Sequence, residues 1–259
     1  MRQAARLGHL ATGMVYVIVG SVALAACIDV RMRPVGSQGA LHRILRGEVG
    51  MIALLAIALG LAADAVWQAV RAAVDADRAG RSLTGAANRI AWAFSGLIHL
   101  GLAVGIVKIA LGIPQITPEA QVRRWTAGTM SLPFGPWLVA GAGLVAAGIG
   151  LVLLYRAWIA DVDSHLDLTR MRLLTRAAIM GLGRFGLVAR GLVLSLTGLL
   201  LIAAALELSP ERARGLGGTF RVIQDQRYGS AILGVIALGF IANGLLELVR
   251  ARYRRIWLR

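Results

Sequence analysis

Six long apolar stretches constrain this chain more than any other feature of its sequence. They cover roughly residues 7–28, 49–70, 90–113, 137–159, 185–206 and 230–249. A transmembrane helix needs about 20 consecutive apolar residues, and each stretch reaches that length. The chain has 259 residues, 58% of them hydrophobic, and no segment between the stretches is long enough to bury a soluble core. We therefore predict an all-α, polytopic membrane bundle of six transmembrane helices.

The distribution of basic residues predicts the orientation of this bundle. With a cytoplasmic N-terminus, 16 of the 28 basic residues fall on the cytoplasmic side and 11 on the other side. Cytoplasmic loops carry the excess of Lys and Arg, so we expect a multi-pass protein of the bacterial cytoplasmic (inner) membrane with both termini in the cytoplasm. The arginines flank apolar spans instead of forming one basic face. The net charge of +15 therefore predicts anionic lipid head groups as partners, and no nucleic acid.

An internal repeat relates the six spans. An arginine opens each odd-numbered span, and a glycine follows seven positions later: Arg6, Arg89 and Arg184. A glycine opens each even-numbered span, and an arginine follows 21 positions later: Gly50, Gly135 and Gly229. We predict one membrane domain of three two-helix copies, at residues 1–80, 81–170 and 171–259. Each copy crosses the membrane twice, so the copies are parallel, and we expect them around a pseudo-threefold axis along the membrane normal.

These repeated motifs resemble a known family. The Arg-x-Gly-x4-Gly starts of the first and fifth spans, the sequence Pro-Phe-Gly-Pro-Trp at 133–137 and the glycine-containing run at 36–41 resemble bacterial membrane proteins that carry the domain of unknown function 1206. That domain is a two-helix unit commonly present three times. The resemblance implies an architecture and no established activity. Copy two departs from the pattern, because Ile149 stands where copies one and three have Asp64 and Asn243.

Polar residues inside the spans are the candidate functional site, because ionisable groups in a membrane are costly and mark function by default. We predict a network near the cytoplasmic ends of the helices, formed by Arg6, Asp64, Gln68, Arg184, Arg190, Asn243 and Glu247. Tyr16 and His99 lie nearer the midplane, where His99 is interpreted as a hydrogen-bonded packing residue. The network has two interpretations: a structural set of ion pairs, or a polar vestibule for an ion or solute. We expect Arg190 to pair with Asp64 or Glu247.

Catalytic and ligand-binding motifs are missing from the sequence. It contains no Gly-x-Ser-x-Gly, no His-Glu-x-x-His and no P-loop, so we expect no enzyme activity and no cofactor. The segment 161–167 alternates Asp and His with other residues and could be read as a divalent-metal site. It lacks the glycine and the spacing of an EF-hand, and we interpret it as a solvated loop without a metal.

The single cysteine raises the question of a lipoprotein signal. The residues Leu-Ala-Ala before Cys27 follow an apolar run, as in a cleaved bacterial signal. The first span is, however, the repeat equivalent of the third and fifth spans, which cannot be signal peptides. We therefore predict that this helix is retained and that Cys27 is unmodified.

Two classes of function remain. The first is a non-enzymatic membrane scaffold or lipid-interacting protein, and the second is a channel or transporter for a small solute or ion. A continuous polar column along the axis would favour transport, whereas an axis filled by Gly, Ala, Leu and Val would favour the scaffold. Polar residues are scarce at the midplane, so the sequence favours the scaffold. The sequence does not distinguish a homo-oligomer from an assembly with other membrane proteins.

Overall fold

The computed structural model describes residues 2–28, 34–44, 47–74, 83–113, 116–159 and 173–253, and these are helical apart from short turns. The predicted loop at 161–167 lies outside the described residues. In chain order the helices are α1 (Arg2–Ile28), α2 (Ser37–Ile44), α3 (Gly47–Val74), α4 (Leu83–Ala110), α5 (Pro118–Met130), α6 (Gly135–Trp158), α7 (Leu173–Leu206), α8 (Leu216–Gln224) and α9 (Gly229–Tyr253). A 3₁₀ turn, Pro210–Arg212, precedes α8.

Six of the described helices, α1, α3, α4, α6, α7 and α9, are long and apolar enough to cross a membrane. This confirms the predicted all-α membrane bundle. The short helices α2, α5 and α8 each connect the two spans of one copy, and we call their side of the bundle the outer end. The opposite side, where α1, α4 and α7 begin, is called the inner end. Helix α7 has 34 residues, about 51 Å at 1.5 Å per residue, so it extends beyond the hydrocarbon core.

Packing between copies follows one rule. The second spanning helix of each copy packs along the first spanning helix of the next copy: α3 with α4, α6 with α7, and α9 with α1. Within copies one and three the two spans also pack together, as α1 with α3 and α7 with α9. In the described part of the chain, α4 and α6 of copy two do not form such a contact. The spans therefore follow the order α4–α3–α1–α9–α7–α6, with α4 and α6 at its two ends, and the threefold axis stays a prediction.

Glycines bring the helices of neighbouring copies together. A Cβ atom at Gly13 of α1 would lie 2.9 Å from the carbonyl oxygen of Gly244 on α9. A Cβ atom at Gly143 of α6 would lie 2.7 Å from the carbonyl oxygen of Gly198 on α7. Helices in lipid associate through close packing of small faces, because the solvent around them is as apolar as their side chains. The glycines that follow the opening arginines by seven positions, Gly13, Gly96 and Gly191, each lie at a contact between copies.

Candidate functional site

Two buried histidine–carboxylate pairs form the centre of the polar layer, by which we mean Asp64, Gln68, His99, His9, Glu247 and Arg250. In the first pair, Asp64 Oδ2 of α3 lies 2.6 Å from His99 Nδ1 of α4, and both side chains are buried. The amide of Gln68 donates to the same carboxylate oxygen over 3.5 Å. This pair joins copy one to copy two.

The second pair joins copy three to copy one. Glu247 Oε2 of α9 lies 2.8 Å from His9 Nδ1 of α1, and both residues are again buried. Arg250, one helical turn further along α9, donates from Nη1 to Glu247 Oε1 over 2.5 Å. Each buried carboxylate of the layer is therefore bonded to a histidine on the neighbouring copy.

The repeat explains where the Asp64–His99 pair falls. Asp64 is the fourteenth residue after Gly50, which opens the second span, and His99 is the tenth after Arg89, which opens the third. These two repeat positions face each other because the second span of one copy packs on the first span of the next.

The same two repeat positions hold different residues at the other inter-copy contacts. Asn243 and Tyr16 occupy them between copies three and one, and Ile149 and Leu194 occupy them between copies two and three. Asn243 is fully buried, and neither its amide nitrogen nor its amide oxygen has a hydrogen-bond partner among the described residues. The polar layer therefore uses two of the three contacts, and at the α6–α7 contact these two repeat positions are held by the apolar residues Ile149 and Leu194.

The predicted pairing of Arg190 with Asp64 or Glu247 is wrong. Among the described side chains Arg190 forms no ion pair, and its guanidinium carbon lies 5.2 Å from the ring centroid of Tyr16. Both carboxylates are instead bonded to histidines. The prediction placed these residues at a common depth, but depth alone does not determine which helix faces which.

The remaining predicted arginines lie away from the two pairs. Arg6 is exposed at the inner end of α1. Arg184 is exposed on α7 and donates from Nε to the carbonyl oxygen of Ala157, in the last turn of α6, over 3.0 Å. An open groove of about 560 Å³ lies beside it and is lined by Leu154, Trp158, Gly181, Arg184, Phe185 and Val188.

Aromatic rings fill the interior on the outer side of the polar layer. The ring centroids of Tyr16 and Phe240 are 5.7 Å apart, and those of Phe240 and Phe220 are 5.4 Å apart. Phe220 belongs to α8, so this row of rings links the outer end to the layer. Val19 and Leu233 beside it are fully buried, and the interior there is predominantly apolar.

A second cluster lies at the outer end, where segments of all three copies meet. Arg221 Nη2 of α8 is 3.8 Å from Oε2 of Glu119 on α5, a buried carboxylate. The Nε of the same arginine donates to the carbonyl oxygen of Pro34, just before α2, over 3.3 Å. Burial lowers the pKa of the neighbouring Arg214 guanidinium, and the positive charges of Arg123 and Arg221 lower it further. This outer junction therefore holds more positive than negative charge.

His9 is a residue that sequence reasoning missed. It lies inside the first span, three positions after Arg6, and an ionisable residue in a span was the available signal. Its partner could not be read from the chain, because Glu247 lies 238 positions away. No group of three or more His, Cys, Asp or Glu side chains within the described ranges is arranged to hold a metal ion. The hydrogen bonds of the polar layer join α3 to α4 and α9 to α1 through ionisable side chains.

Fold and polar layer together define a multi-pass helical membrane protein built from three two-helix copies. The chain belongs to the family described as Domain of Unknown Function (DUF1206), which matches residues 7–75, 90–160 and 185–254. The resemblance and the three copies are therefore confirmed. The chain is also similar to the Uncharacterized protein YxxB of Bacillus subtilis (strain 168), with 28% identity over 253 residues that cover 97% of this chain and 90% of that protein. No solved structure matches the chain.

Proposed function

We propose that the protein is a non-enzymatic, lipid-contacting scaffold of the bacterial inner membrane, and that its polar layer holds the helices in register. The observation that carries this proposal is the pairing of both carboxylates of the polar layer, Asp64 and Glu247, with histidines of the next copy. A vestibule for a solute would instead leave such groups facing an open space.

The energies of such interactions indicate that the polar layer fixes the relative positions of the helices more than it raises the free energy of unfolding. An aspartate or arginine at a helix centre costs about 2.5–3.5 kcal/mol on insertion scales, and pairing removes part of that cost. Hydrogen bonds between transmembrane helices contribute only about 0.6 kcal/mol on average. A buried histidine–carboxylate bond has a strict geometry, however, so it selects one rotation and one height of α3 against α4. The same holds for α9 against α1.

Lipid contact is supported by the exposed arginines at the inner end of the bundle. Arg6 of α1, Arg184 of α7 and Arg252 in the last turn of α9 are exposed at the end that the positive-inside rule assigns to the cytoplasm. Attraction to anionic head groups amounts to about 1 kcal/mol per basic residue near the surface. We infer that anionic lipids surround the inner end of the bundle.

Transport of protons or another small ion is the second candidate. Histidine gains and loses a proton near neutral pH, and two histidine–carboxylate pairs lie within the spans. The row of Tyr16, Phe240 and Phe220 supports the scaffold instead, because it fills the interior between the layer and the outer end with rings.

Substitutions of the Asp64–His99 pair separate the two candidates. We expect Asp64→Leu and His99→Leu each to lower the melting temperature in detergent more than the double variant does. A single substitution leaves one polar partner buried alone, and the cycle of variants measures the coupling energy of the two side chains.

A second experiment measures transport. In liposomes, the wild type and all variants should leave an imposed pH gradient as stable as protein-free vesicles do. Dissipation of the gradient by the wild type, lost in Asp64→Leu without loss of stability, would replace the scaffold by a transporter.

A further inference from the structure

We propose that the groove between α6 and α7 binds one anionic phospholipid, with its phosphate at Arg184 and an acyl chain along the groove. This site rests on the proposed lipid contact of the inner end, and it adds a defined position and a defined head-group charge. No motif of the sequence and no property of the polar layer requires it.

A hydrogen bond to the backbone orients the guanidinium group of Arg184 for binding a phosphate. Its Nε donates to the Ala157 carbonyl oxygen over 3.0 Å, which fixes the plane of the guanidinium. Its two Nη groups have no partner among the described residues. A guanidinium fork binds phosphate oxygens through two parallel hydrogen bonds. The arginine therefore offers four N–H donors in an orientation held by the backbone of α6.

The groove beside Arg184 suits an acyl chain. Its lining on α7 follows the spacing i, i+3, i+4, i+7 of one helix face, with Gly181, Arg184, Phe185 and Val188. Leu154 and Trp158 of α6 form the opposite wall. Gly181 has open space where a side chain would begin, so it widens the groove. Val188 lies four residues, or about 6 Å, deeper than Arg184.

The depth of the site matches the head-group region. Trp158 is the last residue of α6 and is highly exposed, and tryptophan is enriched at membrane interfaces. The long apolar run of α7 begins at Phe185, immediately after the arginine. We commit to an anionic lipid because a zwitterionic one would bring its own ammonium group next to the guanidinium.

Lipid titrations followed by native mass spectrometry test this site in the full chain. The wild type should bind one phosphatidylglycerol more tightly than phosphatidylcholine. We expect Arg184→Gln to weaken phosphatidylglycerol binding by about tenfold, the effect of losing one hydrogen bond to a charged group, and to leave phosphatidylcholine binding nearly unchanged. Gly181→Leu should weaken binding of both lipids, because it fills the groove and keeps the arginine.

Matched controls are available on the same molecule. Arg176→Gln removes one exposed charge from the same helix, and Gly101→Leu adds the same side chain at another exposed glycine with open space around it. Both should bind phosphatidylglycerol like the wild type, and the melting temperature of each variant verifies its folding. Equal losses in Arg184→Gln and Arg176→Gln would refute the site and leave a general attraction to anionic lipid. A wild type without preference for phosphatidylglycerol would refute the proposed lipid contact as well.

Discussion

Asn243 has an unusual environment, because both polar atoms of its fully buried side chain lack a hydrogen-bond partner among the described residues. A Cβ atom at Gly186 of α7 would lie 2.8 Å from its Cα and Cβ, so the backbone of α7 passes directly over it. A buried polar group without a partner costs about 1–3 kcal/mol. The unsatisfied amide of Asn243 therefore lowers the free energy of unfolding.

Replacing Asn243 by Leu should leave the stability of the protein unchanged or raise it, because the substitution removes an unsatisfied amide. Asp64→Leu is the matched control, since Asp64 occupies the same repeat position but has a histidine partner. We expect the control to lower the melting temperature in detergent. Comparable losses in both variants would mean that the Asn243 amide has a partner, such as a buried water molecule.

The partners of the residues in the polar layer could not be predicted from the sequence. The rise of 1.5 Å per residue placed Asp64, Arg190 and Glu247 in one layer. It gave no direction around the helix, and it did not identify the neighbour of each helix. For this reason Arg190 was assigned to the carboxylates, although it contacts Tyr16. His9 was omitted because its partner belongs to the other end of the chain.

Helices α6 and α7 show how glycine positions control packing at the scale of an element. We predict that Gly143→Ala destabilises the protein by about 1–3 kcal/mol, the usual range for overpacking. The new Cβ would lie 2.7 Å from the carbonyl oxygen of Gly198, and a helix backbone cannot yield as a side chain does. Gly148→Ala on the same helix is the control, because nothing lies within 4 Å of its Cβ position.

The control should be neutral or slightly stabilising, since alanine is a better helix former than glycine by about 1 kcal/mol. Thermal unfolding in detergent measures both variants. Equal effects of the two substitutions would mean that the α6–α7 contact is looser than the structure shows.

Helix α1 is predicted to be retained in the membrane-inserted protein, because it packs in the interior of the bundle. Val15, Val19 and Val22 of α1 are buried in the interior, and the Cys27 thiol donates to the carbonyl oxygen of Ala23 over 3.1 Å. Removal of residues 1–26 would take away the helix that packs on both α3 and α9. We therefore expect the intact mass of the membrane-extracted protein to include α1 with unmodified Cys27. A mass that lacks residues 1–26 and includes an attached lipid would contradict this.

Spanning helices were predictable because an apolar run of sufficient length has few alternatives in a membrane. The short outer helices were not predicted. Helix α2 has 8 residues and α8 has 9, and helices this short depend on tertiary contacts for stability. For α8 those contacts include Phe220 against Phe240, which no local pattern indicates.

The topology of the whole molecule yields a further prediction. Six spans place the two chain termini on one side of the membrane, and the arginine distribution predicts that this side is the cytoplasm. Reporter fusions at Arg259 and within residues 114–119 should therefore report opposite sides, with Arg259 inside. A finding of both fusions on one side would contradict the six-span topology, and an exchange of the two sides would contradict the predicted orientation.

The contact of α1 with α9 has a consequence for how the protein is made. Helix α1 is synthesised before α9, with which it packs more extensively than with α3, and four other spans lie between them in the chain. Until α9 has been made, His9 lacks its bond to Glu247, and Gly13 and Gly20 lack the helix against which they pack. Helix α1 must therefore remain in the bilayer without its α9 contacts while those four spans are inserted. Its packing is completed only when α9 is in place.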